Sequence, residues 1–503
     1  MNKYVIGIDN GGTYIKAVLY NNQGEQIAIE KEPSIATVLQ AEWVELDQDD
    51  LWNANCRCVR KVIKNSGISQ DDILGIGIAG QGKGLYSVDT NGESVRKAIT
   101  SADGRSWKYV QKWKEDGTAD KIFKYTYQGL FASHPVSILA WLKDNEPDNY
   151  RKIRWIFSMK DYLVFKMTGK AVSDFCNQSG GSFVNLNTGK YEPEILKALG
   201  IPEVEGKLPQ MMHSAEVCGT VTRKAALELG CGENTKVVTG MFDVDASAIA
   251  MGVVSEETLC MITGTCSENA YISKNPVTDG SILMNSYYCI PGYYLIEEGS
   301  NTSAGVLEWV IKTFYSREKQ EILERGNDFY EYLDSIVDEL KPTESDVLFL
   351  PFLYGSAGNS KSKGVWLGMS PLDTKEHMLR AVYEGVVFSH KWHMDRLLKN
   401  RPAAKLIRMA GGATNSDVWI QMFSNILQTP IEVAEGRELG ARGAAIAAEI
   451  GVGIYKDFFE ASNKTCKIKK TVYPSKEWKE IYEKKYQRYF SVVENLQDVW
   501  KLF

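Results

Sequence analysis

The chain has 503 residues, of which 44% are hydrophobic and 24% are charged, and its formal net charge is −6. These values are typical of a globular protein of roughly two to four domains, and they exclude disordered, collagen-like and coiled-coil chains. The acidic balance gives no electrostatic reason to expect a nucleic acid or an anionic membrane as a partner. No apolar run approaches the ~18–20 residues of a membrane-spanning helix, and the first residues do not resemble a signal peptide. We therefore expect a cytoplasmic protein that binds neither nucleic acid nor membrane.

The nine cysteines and five histidines show no spacing typical of a metal site. Cys56 and Cys58 are separated by a single residue, which is too close for the usual Cys-x-x-Cys pattern. His390 and His393 stand three residues apart on a predicted helix, with no third ligand nearby in the sequence. We expect reduced core thiols, and helix histidines that are solvated or satisfied by neighbours rather than bound to zinc.

The first eighty residues predict a strand meander followed by a helix and a buried strand. The predicted elements are strands at 4–9, 15–20 and 26–31, a helix at 48–65 and a strand at 73–79. The strands are rich in β-branched residues and are bounded by Asn- and Gly-containing turns, whereas the helix shows apolar residues at helical spacing. Strands followed by alternating helix and strand indicate an α/β domain.

The opening pattern returns in the second half of the chain. Residues 258–264 and 268–273 predict two strands joined by a Gly-Thr turn, about 250 residues after the first such pair. We expect two similar halves with a boundary near 245–255, and we divide the chain into domains 1–247 and 248–503. The remaining predicted elements are helices at 304–316, 376–399, 416–427, 439–450 and 476–501 and strands at 347–350, 406–410 and 431–434.

Two glycine-rich matches lie close together, and neither fits a nucleotide site. Residues 75–80, GIGIAG, match G-x-G-x-x-G, but these glycines fall inside a strand instead of in the turn before a helix. Residues 77–84, GIAGQGKG, match the start of a phosphate-binding loop, but Gly84 stands where a Ser or Thr hydroxyl would coordinate Mg²⁺. Lys83 remains a candidate contact for a polar ligand because it lies on a glycine-rich loop at a strand end.

The first turn has the residue types that suit a nucleotide phosphate and its metal. Asp9 ends the first strand, Gly11 and Gly12 allow close approach of the backbone, and Thr13 offers a hydroxyl donor. Lys16 adds a cation. The alternative interpretation is a tight hairpin in which Asp9 caps the turn.

The second turn, residues 264–267, offers similar chemistry without the carboxylate. It can equally be an ordinary hairpin turn. Because one such turn occurs in each half, the pair favours a nucleotide held between two lobes.

Two further segments join strands to helices through small residues. Residues 408–416 lead from a strand through Gly411 and Gly412 to Asn415 and Ser416, which suits ribose, phosphate or adenine at a helix start. An ordinary strand-to-helix turn is the alternative. Residues 240–245 follow a strand and open a helix, and Asp243 there is either a helix cap or a base that projects into a cleft.

The order of these motifs resembles the FGGY carbohydrate kinases of the actin/Hsp70-like ATPase superfamily over nearly the whole chain. The matching segments are GIDNGGTYIKAVLY (7–20), AGQGKGLYSVD (79–89), SADGR (101–105), HPVSILAWLKDNEP (134–147), GMFDVDASA (240–248), GVWLGMSPLDTKEHMLRAVYEG (364–385) and MAGGATNSDVWIQMFSN (409–425). The chain departs from the family pattern at Gly12, where Thr is commoner, at Ile138, where Lys is typical, and in lacking the tetrapeptide FGGY.

The resemblance implies a fold of two ribonuclease-H-like α/β domains, as in actin-like ATPases, around a deep cleft. It also implies transfer of the ATP γ-phosphoryl group to a hydroxyl of an open-chain ketose or polyol, with ATP and Mg²⁺ as cofactors. Asp243 matches the catalytic aspartate that accepts the hydroxyl proton, whereas Asp245 lies two residues too late. Asp9 and Asp243 are the two carboxylates expected to bind the Mg²⁺ ion, and Asp9 is expected to do so through a water molecule.

The resemblance also assigns binding roles. The expected ATP-binding residues share small or polar side chains in turns: Asp9, Gly11, Gly12, Thr13, Lys16, Gly264, Thr265, Gly305, Gly411, Gly412, Asn415 and Ser416. The expected sugar-binding residues are Gln81, Gly82, Lys83, Asp103, Arg105, His134 and Asp243. The partners are thus a small sugar and ATP, and a homodimer is possible.

Within the family, the segments GQGKGL, HPVS and GMFDV are most similar to L-xylulose kinases. We expect L-xylulose or 3-dehydro-L-gulonate as substrate, because Gly82 opens space beside the sugar and Lys83 adds a donor-only cation. The alternatives are an FGGY kinase for D-xylulose, ribulose, glycerol or erythritol, and a non-catalytic sensor of sugar or nucleotide on the same fold. The presence of Asp243 favours an enzyme.

Overall fold

The computed structural model describes residues 3–40, 42–356, 359, 361–399 and 401–503. The chain forms two compact units that interleave along the sequence. The first comprises Met1–Val254, Ser273–Ile296 and Gly436–Cys466, and the second comprises Ser255–Ile272, Glu297–Glu435 and Lys467–Phe503. The division into 1–247 and 248–503 follows chain order and stays a prediction. None of the described helices is long and apolar enough to cross a membrane.

The described strands are short to medium in length. They are β1 (Tyr4–Asn10), β2 (Tyr14–Asn21), β3 (Gln26–Pro33), β4 (Ala36–Gln40), β5 (Trp43–Leu46), β6 (Ile73–Gly80), β7 (Tyr86–Val88), β8 (Ala98–Ile99), β9 (Trp155–Phe157), β10 (Val172–Asp174), β11 (Val184–Asn185), β12 (Lys190–Tyr191), β13 (Gln210–Met212), β14 (Val217–Thr220), β15 (Lys236–Val238), β16 (Met241–Phe242), β17 (Thr258–Thr263), β18 (Ser267–Ser273), β19 (Met284–Tyr287), β20 (Tyr294–Ser300), β21 (Leu348–Leu350), β22 (Val365–Leu367), β23 (Leu406–Gly411), β24 (Ile431–Ala434) and β25 (Ile468–Val472).

The described helices alternate with these strands. They are α1 (Gln48–Ser66), α2 (Trp107–Glu115), α3 (Thr118–Thr126), α4 (Pro135–Asn145), α5 (Pro147–Lys152), α6 (Met159–Thr168), α7 (Phe175–Gly180), α8 (Pro193–Ala198), α9 (Arg223–Leu229), α10 (Asp243–Ala250), α11 (Gly305–Phe314), α12 (Ser316–Glu324), α13 (Phe329–Glu339), α14 (Lys375–Leu397), α15 (Asp417–Leu427), α16 (Leu439–Gly451), α17 (Phe458–Thr465) and α18 (Lys479–Asn495). Short 3₁₀ turns lie at Gln70–Asp72, Pro202–Lys207, Gly412–Asn415 and Val499–Leu502.

The sheet of the first unit places the carboxyl ends of three strands together. Its strand order is β14-β15-β6-β1-β2-β3, and β16 pairs with β6. Strands β1 and β2 are antiparallel, whereas β6 runs parallel to β1 with Asp9 opposite Ala79. Strand β16 runs parallel to β6 with Phe242 opposite Gly80. Residues that follow β1, β6 and β16 therefore lie at the same edge of the sheet.

Helix α16 packs directly on β1 and β6 because both partners are built from small residues. A Cβ atom at Gly77 would overlap the carbonyl oxygen of Ala444, and a Cβ atom at Gly7 would overlap that of Ala441. The G-x-G-x-x-G match lies inside β6, as expected, and Gly77 serves the close approach of a helix. The other face of the sheet is covered by the core that contains Leu51, Val59 and Leu163.

The sheet of the second unit repeats the arrangement around its first strand. Strands β17 and β18 are antiparallel, and β23 runs parallel to β17, with Thr263 opposite Gly411. Strand β24 runs parallel to β23, and β25 is antiparallel to β24. A hairpin with a parallel strand beside its first member thus occurs once in each unit.

Cysteines and histidines outside the site behave as structural groups. All nine cysteines are free thiols, and seven of them are buried. His390 lies between the Ser303 hydroxyl, 2.7 Å from Nε2, and the Asn269 amide oxygen, 2.8 Å from Nδ1. His393 Nδ1 lies 3.1 Å from a carboxylate oxygen of Glu298. His390 is thus satisfied by its neighbours on both ring nitrogens, whereas Nε2 of the buried His393 has no hydrogen-bond partner among the described residues.

Candidate active site

Three polar side chains follow the strand ends that converge in the first unit. Asp9 lies near the end of β1, Gln81 follows β6, and Asp243 follows β16 and begins α10. The backbone amide of Gln81 donates to the carbonyl of Asn10, which ties the two strand ends together. The sequence-predicted catalytic residue and the first phosphate motif are therefore brought to one place by the sheet itself.

Asp243 has the electrostatic environment of a general base. Its side chain is half-buried, and burial raises its pKa to about 7, helped by the negative charge of Asp9. The backbone amide of Val244 and the charge of Lys83 act in the opposite direction. A carboxylate whose pKa lies near neutrality can accept a proton at physiological pH and release it again.

Of the two interpretations left open for Asp243, the geometry disfavours the helix cap. The capping position of α10 is Phe242, and Asp243 is the first residue with helical geometry. Asp245 has a structural setting, since it is fully buried and its carboxylate accepts a 2.8 Å hydrogen bond from the backbone amide of Cys289.

The first turn carries a chain of alternating charges that the sequence only partly revealed. Lys16 Nζ lies 3.5 Å from Asp9 Oδ2 and 2.9 Å from Glu438 Oε2. Lys31 Nζ contacts the other Glu438 oxygen at 2.5 Å. Burial raises the pKa of Asp9, and the Lys16 charge opposes that shift. Glu438 is the residue that sequence reasoning missed, and its only local signal is its place before the small-residue helix α16.

The turn itself is open to solvent and lies against Gln81. Gly12 and Thr13 are exposed, and the Gly11 amide donates to the carbonyl of Tyr14. A Cβ atom at Gly12 would lie 2.7 Å from Gln81 Nε2. The Ser101 hydroxyl donates to Gln81 Oε1 at 3.0 Å. The Gln81 side chain thus lies between the turn and Ser101.

Lys83 is held in an unusual backbone conformation. Its φ angle is +67°, in the left-handed region that non-glycine residues seldom adopt. Its ammonium group lies 5.0 Å from the centre of the Phe131 ring. Strain of this kind concentrates at functional sites, where the surroundings enforce it.

The expectation that Gly82 opens space beside the sugar is wrong. A Cβ atom at Gly82 would lie 2.6 Å from Cε2 of Phe242, so the Phe242 ring already fills that space. The glycine permits the ring that precedes Asp243 to pack against the loop. The local sequence could not show this contact, since Phe242 lies far along the chain.

Asp103 and Arg105 form a closed ion network. Arg105 donates to both Asp103 oxygens and, at 2.9 Å, to Glu45 Oε1, and both side chains are fully buried. Asp103 also accepts from the backbone amide of Val44 at 2.7 Å. The Arg105 guanidinium stacks 4.2 Å from the Trp43 ring. A sugar contact by this pair stays a prediction, and the geometry favours a supporting role.

His134 is buried and neutral. Burial, and then the charge of Lys83, lower its pKa well below the ordinary value. Ser182 Oγ accepts from Gln128 Nε2 and lies 3.1 Å from His134 Nδ1. The other ring nitrogen of His134, Nε2, has no hydrogen-bond partner among the described residues. Its role in sugar binding stays a prediction.

The expected nucleotide residues of the second unit cluster around the hairpin turn. The Gly305 amide donates to the carbonyl of Gly264 at 3.1 Å, and a Cβ atom at Gly305 would lie 2.9 Å from Cα of Thr265. A Cβ atom at Gly411 would overlap the Thr263 carbonyl, and the φ angle of Gly411 is +103°. The turn, the start of α11 and the end of β23 thus meet through backbone contacts.

The remaining expected adenosine residues lie next to this cluster. Gly412 and Asn415 belong to a 3₁₀ turn, and both are exposed. Ser416 caps α15 by accepting from the Trp419 amide at 2.9 Å, and its hydroxyl donates to Asp334 at 2.8 Å. Ser416 is therefore occupied within the protein, whereas Asn415 is open to a ligand.

Residues 4–250 match the N-terminal domain model, and residues 259–452 the C-terminal domain model, of the FGGY family of carbohydrate kinases. The chain belongs to the FGGY family. An L-xylulose/3-keto-L-gulonate kinase of Escherichia coli (strain K12) is 36% identical, over 99% of this chain and 98% of the relative. A probable L-xylulose kinase of Pasteurella multocida (strain Pm70) is 35% identical, over 97% of each chain.

Solved structures agree on the fold of this FGGY chain. A ligand-bound xylulose kinase from Lactobacillus acidophilus matches with a TM-score of 0.90 and 24% identity, over 98% of each chain. Plasmodium falciparum glycerol kinase with ADP matches with a TM-score of 0.88 and 20% identity, over 99% of this chain and 98% of that chain. The predicted α/β fold of two actin-like domains is confirmed.

Family membership confirms an ATP-dependent carbohydrate kinase. It does not favour the alternative of a non-catalytic sensor. Among the described residues, no three His, Cys, Asp or Glu side chains are grouped as a metal site. Asp9 and Asp243 nevertheless fit a Mg²⁺ ion, which typically binds one or two carboxylates together with substrate phosphates. A divalent cation would also relieve the effect of the Asp9 charge on Asp243.

Proposed function

We propose that this FGGY kinase transfers the γ-phosphoryl group of ATP to a hydroxyl of L-xylulose, and that 3-keto-L-gulonate is a second substrate. The names and identities of the Escherichia coli and Pasteurella multocida relatives support this substrate class. D-xylulose, ribulose, glycerol and erythritol are the competing substrates within the family.

Asp243 carries the chemistry in this proposal. Its carboxylate accepts the proton of the sugar hydroxyl, the oxygen forms a bond to the γ-phosphorus, and ADP leaves with the electrons of the broken bond. The supporting observation is the placement of Asp243 at the sheet edge beside Asp9, where its pKa is raised to about 7.

The first turn supplies the charges around the phosphates. Mg²⁺, held by Asp9 through water and by Asp243, would neutralise phosphate charge when it is bound. Lys16 would donate to a phosphate oxygen, and Glu438 fixes its ammonium group from the opposite side. Gly11, Gly12 and Thr13 would offer backbone and hydroxyl donors.

The second unit supplies nucleotide binding. Gly264, Thr265 and Gly305 form a backbone cluster that suits phosphate oxygens. Gly411, Gly412 and Asn415 would bind adenosine, with Asn415 as the open polar side chain, while Ser416 caps the adjoining helix α15. A larger residue at Gly305 would press on the backbone of Thr265, and one at Gly411 would press on the backbone of Thr263, so either would shift this cluster.

Lys83 would select the sugar. Its ammonium group is a donor only, so it suits a keto oxygen, a hydroxyl lone pair or the carboxylate of 3-keto-L-gulonate. Gln81 and His134 would add polar contacts, while Asp103 and Arg105 hold the loop. The cytoplasmic location and the homodimer expected from the sequence stay predictions.

The test is the initial rate of ADP release with L-xylulose, 3-keto-L-gulonate, D-xylulose, ribulose, glycerol and erythritol. We expect the highest kcat/KM with L-xylulose. A Lys83→Met variant should lose roughly tenfold to a hundredfold, and more with the acid than with the neutral sugar. A clear preference for D-xylulose or glycerol would contradict the proposed substrate.

A further inference from the structure

A buried histidine is connected to the expected nucleotide turn of the second unit. His390 belongs to helix α14, and its side chain is fully buried. Its ring packs against the ring of Phe423, and both of its ring nitrogens have polar neighbours. Burial lowers its pKa to about 3, so the imidazole is neutral at physiological pH. A neutral imidazole donates from one nitrogen and accepts at the other, and the accepting nitrogen decides which donor it can hold.

The neighbours of His390 determine which nitrogen carries the proton. Asn269 Nδ2 donates to the backbone carbonyl of Glu298 at 3.3 Å. Because a carbonyl oxygen only accepts, the amide nitrogen of Asn269 faces Glu298 and its amide oxygen faces His390. His390 Nδ1 lies 2.8 Å from that oxygen and therefore donates to it. The other ring nitrogen, Nε2, has the lone pair, so it accepts from the Ser303 hydroxyl at 2.7 Å.

Ser303 connects this histidine to the turn. Its backbone amide donates to the carbonyl of Thr265 at 2.9 Å, and the Gly305 amide donates to the carbonyl of Gly264 at 3.1 Å. Both hydrogen bonds come from residues 303–305, the short segment that leads into α11. A shift of this segment would therefore move both turn residues together.

The bond to His390 ties the same segment to the protein interior. Ser303 is 1% exposed, so its hydroxyl bond to His390 lies in a dry environment, where a hydrogen bond is stronger than at the surface. His390 stands in the part of α14 whose residues from Leu379 onward are mostly buried, and α14 packs against β21 and α15. The segment 303–305 is thus anchored to a helix that is itself fixed by core packing.

We propose that His390 is a positioning residue for nucleotide binding: by accepting the Ser303 hydroxyl, it holds residues 303–305 so that the turn at 264–265 is already formed before the nucleotide arrives. This inference rests on the proposed nucleotide-binding role of that turn. His390 acts through Ser303 and not by contact with the nucleotide. A turn that is already formed loses less free energy on binding. Nucleotide affinity, rather than sugar affinity, should therefore depend on His390.

His393 provides a matched control on the same helix. It is also fully buried, and it lies three residues after His390 in α14. Its Nδ1 lies 3.1 Å from Oε2 of Glu298, and its Nε2 has no hydrogen-bond partner among the described residues. The polar contact of His393 thus leads to strand β20, whereas that of His390 leads to Ser303. Loss of the His393 ring should lower stability without moving the turn.

The experiment measures the Kd of ADP by calorimetric titration in the absence of sugar. The proteins compared are the wild type, Ser303→Ala, His390→Leu, His390→Gln, the double variant Ser303→Ala/His390→Leu and the control His393→Leu. Glutamine offers an amide oxygen near the position of Nε2 and can still accept from Ser303, whereas leucine cannot. Thermal unfolding measures the stability of each variant, and steady-state kinetics gives kcat and the two KM values.

Ser303→Ala and His390→Leu should each weaken ADP binding roughly tenfold, and the KM for ATP should rise with it. The double variant should bind ADP no more weakly than either single variant, because both substitutions break the same hydrogen bond. His390→Gln should recover most of the wild-type affinity. The KM for L-xylulose should stay within about twofold of wild type. His393→Leu should lower the unfolding temperature and leave the Kd of ADP unchanged.

Three results would overturn the inference. They are an unchanged Kd of ADP in both Ser303→Ala and His390→Leu, losses that add in the double variant, and a loss in His393→Leu as large as that in His390→Leu. Where His390→Leu does not fold, Ser303→Ala decides the question, because it removes only the hydroxyl oxygen and keeps the backbone amide that donates to Thr265.

A further comparison separates this inference from the proposed function. If the wild type does not bind ADP, or if Gly305→Ala binds it as tightly as the wild type, the proposed nucleotide-binding role of the turn fails. If the wild type binds ADP and Gly305→Ala weakens binding, but Ser303→Ala and His390→Leu do not, the positioning role of His390 fails alone.

Discussion

The two hairpin turns of this kinase have the same strand arrangement, but charged side chains border the first turn and neutral residues form the second. In the first unit the turn after β1 is bordered by Asp9, Lys16 and Glu438, whose charged groups contact one another. In the second unit the turn after β17 reads Gly264-Thr265-Cys266-Ser267 and carries no charged residue. Backbone hydrogen bonds from Ser303 and Gly305 hold this second turn instead.

The difference between the two turns indicates that the same strand arrangement serves phosphoryl transfer in the first unit and nucleotide binding in the second. Charged groups that face one another are suited to the metal and the transferred phosphoryl group, where charge develops during the reaction. Neutral backbone donors suit the parts of the nucleotide whose charge does not change. We therefore expect substitutions near the first turn to affect turnover, and those near the second turn to affect nucleotide affinity.

The largest effect is expected for Asp243→Asn. Without a base the sugar hydroxyl is a weak nucleophile, and kcat should fall by about 10²–10⁴ while ATP affinity changes little. Steady-state kinetics and nucleotide titration measure the two quantities. Asp245→Asn is the matched control, since it should lower the unfolding temperature through its bond to the Cys289 amide. Near-normal turnover of Asp243→Asn would refute the assignment.

The second prediction concerns pH. Asp243 must be ionised to accept a proton, and its pKa of about 7 in the free protein means that the ionised fraction falls as pH falls. With both substrates below KM, kcat/KM should decrease about tenfold per pH unit below pH 7. Asp9→Asn removes the like charge that helps to raise this pKa, so its acid limb should move to lower pH. An unmoved limb would show that another group titrates.

Sequence patterns predicted the parts of this molecule that depend on local residues. The strands of both hairpins, the helix at 48–65 and the segment around Asp243 follow from apolar periodicity, turn residues and the family motifs. What the sequence did not reveal depends on distant contacts. Lys31 and Glu438 are 407 residues apart, and the Phe242 ring that fills the space at Gly82 is likewise distant.

The sequence patterns also failed to predict the helices and strands in the middle of the first unit. Between residues 90 and 235 many of the elements are short, as with the two-residue strand β8 and the six-residue helix α7. Elements of this length have no measurable period, and their stability comes from packing in the core around Leu139 and Phe183.

The third prediction tests the neutral turn with Gly305→Ala. The added Cβ would lie 2.9 Å from Cα of Thr265, and because both groups are backbone-bound the turn must shift. Overpacking of this kind costs about 1–3 kcal/mol, and the same cost placed on nucleotide binding corresponds to a roughly 5- to 160-fold higher KM for ATP. The KM for sugar should stay unchanged. Gly206→Ala, at a glycine with open space, is the control and should behave as wild type.

The smallest effect is expected for Gly12→Ala in the charged turn. Here the added Cβ would lie 2.7 Å from Nε2 of Gln81, which is the end of a flexible side chain and can move. We expect ATP affinity within about twofold of wild type, as for an ordinary surface substitution. Because Gln81 is a proposed sugar contact, the KM for L-xylulose should rise more than the KM for ATP. A large loss of ATP affinity would show that the first turn is as rigid as the second, and the contrast between the two turns would then rest on charge alone.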